Sequence, residues 1–142
     1  MKKLILLVVI TLLSVSCTRE TIIFDGATVD VQYITVNPRD WVPEYLFSDT
    51  DEGFASATFR MDMITSAVIN RGAVLCYFVG SDNVETPLPF ILTQVDGDFI
   101  FTNTLSFDVT TRSIRFISEN SDLFIEMPNR SMTIKVVTIV NR

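Results

Sequence analysis

From Phe99 to Thr110 the chain alternates without a break. Phe99, Phe101, Asn103, Leu105, Phe107 and Val109 fall on one side, and Ile100, Thr102, Thr104, Ser106, Asp108 and Thr110 on the other. A period of two is the signature of an extended strand, whose successive side chains point to opposite faces. One side here is mostly apolar and the other mostly hydroxyl-bearing, so the strand buries a single face. Asp96-Gly97 just before it is a hairpin turn signal and ties it to an apolar stretch at 90–95. A chain with this strand at its centre needs a second layer to cover the apolar face.

The same period recurs elsewhere. Val29, Val31 and Tyr33 alternate with Asp30 and Gln32, and Ala57, Phe59 and Met61 alternate with Thr58, Arg60 and Asp62. Leu88, Phe90 and Leu92 follow Pro87 and Pro89, which suit a strand start or an edge. Ile114 and Phe116 open another strand after a turn at 110–112, and 132–140 is a last, largely apolar one. One short helix interrupts the series over residues 65–71, with Thr65 as N-cap and Gly72 read as a left-handed stop. Residues 73–79 after it have no polar face, which predicts a central strand covered on both sides. Together these features predict a mainly β domain: an antiparallel β-sandwich of about seven to nine strands with one short helix. A closed barrel is the alternative, because sequence alone does not say whether the edges meet.

The N-terminus predicts export. Lys2 and Lys3 precede an apolar run at 4–13, about half the ~20 residues a membrane-spanning helix needs. Ser14-Val15-Ser16-Cys17 closes it in the manner of a bacterial lipobox, with an ordinary secretory signal as the alternative. The expected division is a signal peptide over 1–16, lipidated Cys17 and a tether over 17–27, and one β-sandwich domain over 28–142. Fully extended, such a tether spans roughly 30 Å at ~3.3 Å per residue. Ile22-Ile23-Phe24 is apolar enough to add a strand to the domain's edge.

Charge narrows the partners. The formal net charge is −6, and removing Lys2 and Lys3 takes it to −8 with Lys135 as the only lysine left. Such a surface offers no footprint for nucleic acid, and anionic lipid repels it. Membrane attachment therefore rests on acyl chains, palmitate among them, at Cys17. Cys76 has no second cysteine in the mature chain and reads as a small buried hydrophobe.

Asp40-Trp41-Val42, Ile64-Thr65, Val68, Gly72-Ala73-Val74, Tyr77, Leu88-Pro89 and Ile134-Lys135-Val136-Val137 form a spacing pattern over most of the mature chain. In that pattern the sequence resembles a group of small lipoproteins of Bacteroidota. The resemblance implies a β-sandwich in the cell envelope, on the periplasmic side or at the outer-membrane surface. It implies no reaction and carries over no catalytic residue.

The chain contains no histidine, which removes Ser-His and Cys-His activation and the commonest zinc ligand. Asp96 and Asp98 flank a turn, and a carboxylate pair is what glycoside hydrolysis would need, but acids at such places are ordinary turn formers. The reading is therefore non-catalytic and without a cofactor. Calcium is the one metal considered, at Asp49, Asp51 and Glu52 in a loop ending in Gly53, although the EF-hand pattern is absent. Trp41 and Tyr45 are the candidate ligand contacts, since an aromatic cluster on a sandwich rim stacks on sugars or anchors a protein, and the alternative is that Trp41 plugs one end of the core. The expected function is binding or structural interaction in the envelope, with an envelope protein or a glycan as partner. A carbohydrate-active or carbohydrate-binding domain and a calcium-dependent adhesin-like module are the alternatives.

Overall fold

In the computed structural model, which describes residues 19–24 and 26–141, the alternation resolves into two antiparallel five-stranded sheets. The predicted signal peptide and Cys17 lie outside the described residues. The first sheet holds β1 (Arg19–Phe24), β2 (Ala27–Val36), β10 (Met132–Asn141), β5 (Gly72–Val79) and β6 (Glu85–Pro87), in that spatial order. The second holds β3 (Val42–Tyr45), β4 (Gly53–Arg60), β9 (Ser113–Asn120), β8 (Phe99–Thr110) and β7 (Phe90–Asp96). One short helix, α1 (Ser66–Arg71), precedes β5. The fold is a sandwich and its sheets do not close on each other. Ten strands form where about seven to nine were expected, because β1, β3 and β6 are too short or too proline-broken to show a period.

The core lies between the sheets. Ala55 and Ala57 of β4, Leu105 of β8, and Ile114 and Phe116 of β9 meet Ile34 and Val36 of β2, Cys76 of β5, and Ile134 and Val136 of β10. Phe107, Val109 and Phe59 pack against it, so the apolar sides predicted for β4, β8 and β9 are the inward ones. Burial alone pushes the Cys76 thiol up to about 12, which keeps it protonated and chemically quiet at neutral pH. Outside the core, on the second sheet, hydrogen bonding to Asp108 raises the Arg115 guanidinium further, and Arg115 also reaches Glu44 at 3.3 Å.

Three local expectations are corrected. On β2 the inward residues are Ile34 and Val36, so Val29, Val31 and Tyr33 lie on the outer face. The strand over 72–79 is not covered on both sides: β10 is the central strand of that sheet, β5 lies beside the three-residue β6, and Leu75 is 40% exposed. Finally, Gly72 does not end the helix in a left-handed conformation. Its φ of −128° is ordinary extended backbone, and it stands there because β10 comes so close (a Cβ would fall 2.1 Å from the carbonyl oxygen of Ile139). The N-cap is as expected, with the Val68 amide donating to Thr65 Oγ1 at 3.2 Å.

Arg19–Phe24, inside the stretch expected as a tether, is strand β1 and pairs along its whole length with β2, from Arg19 opposite Gln32 to Phe24 opposite Ala27.

Candidate functional site

Of the sequence-predicted contacts, Tyr45, Asp49 and Asp51 line one open depression, and Trp41 lies apart from them in the core. Trp41 is 4% exposed and belongs to the core, so it offers no ring face to solvent; its indole Nε1 is buried without a hydrogen-bond partner among the described residues. Tyr45 is 60% exposed and stands with Leu46 and Phe47 at the outer end of β3. Asp49 and Asp51 are exposed and Glu52 is half-buried. Among the described residues no three acidic, cysteine or histidine side chains converge as a metal-holding group. Within the loop, the Glu52 amide donates to Thr50 Oγ1 at 3.4 Å, and the Leu46 amide donates to the Glu52 carbonyl at 2.9 Å. Asp98 sits at the tip of the β7–β8 hairpin, next to Gly97 with its φ of 60°.

A more apolar concavity lies between the sheets at the β6 and β7 side. The core residues do not fill the gap there, and a cavity of about 480 Å³ opens to solvent. That volume is within the usual range for small-molecule sites. Phe78 of β5 and Phe90 of β7 form its inner wall across the two sheets, with ring centroids 5.6 Å apart. Leu92, Leu105 and Met132 extend the apolar lining, and Gln94 and Thr86 stand among them.

The polar groups of the floor come from β8 and β9. Asn103 is the one polar residue on the inward side of β8, and it lies directly opposite Asn120. Its amide nitrogen donates to Asn120 Oδ1 at 2.8 Å and to Ser118 Oγ at 3.0 Å. Asn120 in turn donates to the Phe124 carbonyl at 3.2 Å. Both protons of the Asn103 amide are thus used, and its oxygen and the Ser118 hydroxyl proton are what a polar group entering the cavity would meet. Satisfying buried amides this way also fixes the floor, since an unpaired one costs about 1–3 kcal/mol.

The connection from β9 to β10 forms the roof. Its first half is held by backbone bonds from Ser121 to Thr102 and from Gly53 to Leu123, both at 2.8 Å. Its far end is held by Ser131 donating to Asn37 Oδ1 at 3.1 Å. Between these anchors Glu126, Met127, Pro128 and Asn129 line the cavity. Among the described residues Glu126 is the only charged one in the lining. The site therefore favours a neutral or cationic ligand with an apolar body, and disfavours a carboxylate or phosphate.

Sequence reasoning passed over this site. Its one visible signal was Asn103, an amide in an otherwise apolar row, and a buried amide needs partners.

No family model matches the chain, and no curated protein matches it. Among solved structures it is similar to the carboxy-terminal domain of the turkey type 3 siadenovirus fibre, avirulent form, in complex with 3-sialyllactose. The likeness has 9% identity over 87% of this chain and 86% of that one, with a TM-score of 0.25. At that score it carries no argument about a ligand.

Proposed function

We propose that this chain is a cell-envelope lipoprotein, acylated at Cys17, whose sandwich domain is a non-catalytic binding module with the inter-sheet cavity as its ligand site. The observation that carries the reading is the cavity itself: about 480 Å³ of largely apolar space open between the sheets, with a fixed neutral floor. Protein interiors are close-packed, and open apolar space of this size forfeits contacts that a filled core would keep. A single carboxylate lines the space, whereas glycoside hydrolysis needs two on opposite sides of the bond. The lipoprotein part rests on the lipobox at Cys17. Acyl chains there hold the domain close to the bilayer surface, since Arg19, two residues on, already belongs to β1.

The test uses the full chain in detergent and the neutral apolar dye N-phenyl-1-naphthylamine. Gln94→Trp fills the cavity from one wall, and Thr93→Trp places the same ring on the outer face of β7. Counted against the Gln94→Trp protein in the same detergent, the natural chain and Thr93→Trp take up one dye per molecule, saturably. Equal fluorescence from all three overturns the cavity reading. In cells fed labelled palmitate, the chain takes up label and Cys17→Ser does not; an unlabelled natural chain overturns the lipoprotein reading.

A further inference from the structure

Four strands end the two sheets: β1 and β6 in one, β3 and β7 in the other. Edge strands are templates for pairing with another chain, and proteins blunt them by shortness, proline or charge. β6 has three residues and ends in Pro87. β3 has four and contains Pro43. β1 opens on Arg19 and Glu20. β7 is different: it has seven residues, no proline, no lysine, and no charge before Asp96.

Alternate residues of β7 turn their N–H and C=O groups away from β8. Among the described residues no backbone group meets them. Ile91 and Val95 on the outer face are 65% and 69% exposed. Leu92 is 49% exposed although it faces inward, because the cavity opens beside it. Phe90, Leu92 and Gln94 line that cavity, so one strand supplies both the unpaired edge and one wall of the space next to it.

We infer that the β7 edge accepts a further strand: an extended peptide of another protein, bonded through its backbone to β7, with alternate apolar side chains entering the cavity. This rests on the cavity being a ligand site. Only a backbone satisfies a row of backbone groups, and alternate side chains supply the specificity in this mode of recognition. Charge complementarity sets the rest of the partner's chemistry. Glu126 lines the cavity, Asp98 is exposed at the hairpin end, and among the described residues neither lysine nor arginine is in the lining. The incoming strand therefore carries basic residues flanking its apolar ones. A second copy of this chain, offering its own β7, brings neither lysine nor arginine to meet these acids.

The probe is a fluorescein-labelled nine-residue peptide alternating valine with threonine between terminal lysines, titrated into the full chain. Two further versions are N-methylated, one on the odd and one on the even residues. The parent peptide binds saturably and slows amide exchange along β7. One N-methylated version, the one whose N–H groups point at β7, loses at least about tenfold in affinity, since several backbone hydrogen bonds are lost together. Leu92→Lys weakens binding to a similar extent. Equal binding of both methylated versions overturns the inference, as does no binding of the parent. A dimer with β7 amides protected before peptide is added also overturns it, in favour of a second copy. Dye uptake measured on the same samples separates the two readings: uptake without peptide binding rejects the strand and keeps the cavity, and loss of both rejects both.

Discussion

Gly72→Ala is expected to lower stability by at least about 3 kcal/mol, at the top of the range for a single substitution. The cost is one of contact. A Cβ at this position falls 2.1 Å from the carbonyl oxygen of Ile139 and 2.9 Å from that of Val68. Both are main-chain atoms, one on the central strand of the first sheet and one in the helix, so no side chain can turn aside to make room. Relief requires β5 to move away from β10 along the pairs from Gly72–Val140 to Val79–Thr133. Thermal unfolding of the variant beside Gly80→Ala checks this. Gly80 meets nothing closer than Val84's carbonyl oxygen at 3.5 Å, an ordinary contact, and its substitution is expected to be near neutral. Equal melting of the two variants would show that the close approach at Gly72 is absent.

Phe116→Ala is the second large effect. Phe116 sits on the middle strand of the second sheet, opposite Ala57 on one side and Phe107 on the other, with no exposed surface. Its ring is 6.0 Å from that of Phe59. Truncation removes the ring's transfer energy and leaves a void between two sheets that cannot collapse locally, a loss of about 3–5 kcal/mol. For a domain of this size that is a fall in Tm of roughly 10–20 °C. Phe47→Ala, on a side chain 60% exposed, is expected to stay within about 1 kcal/mol of the natural chain. Calorimetry of both variants decides it, and a drop of only a few degrees for Phe116→Ala would contradict the packing described here.

The same residues show where sequence reading works and where it stops. Alternation placed Ala57, Phe59, Phe107, Val109, Ile114 and Phe116 on the inward faces because each belongs to a long strand with one wet side. It misplaced β2, since the inward face carries Thr28, Asp30 and Gln32 before Ile34 and Val36, and the alternation in the strand's first half therefore points the other way. It read residues 73–79 as central because they are apolar on both sides, although the sheet's order depends on β10 and β6 pairing from distant parts of the chain. The aromatic cluster divided by depth: Trp41 went into the core and Tyr45 to the surface, a distinction made by the turn at Pro38–Asp40 and the short β3 rather than by residue type. The cavity was the least legible feature of all. It arises where Phe78 and Phe90 hold two sheets apart and residues 126–129 bridge them, and only Asn103 marks it in the sequence.

A crystal of the protein held under xenon tests the central claim most directly. Xenon enters apolar protein cavities and is seen by its scattering. A xenon atom is expected among Phe78, Phe90, Leu92, Leu105 and Met132, with Asn103 still bonded to Ser118 and Asn120. Residues 126–129 folded down onto Leu105, with no space between the sheets and no xenon, would contradict it.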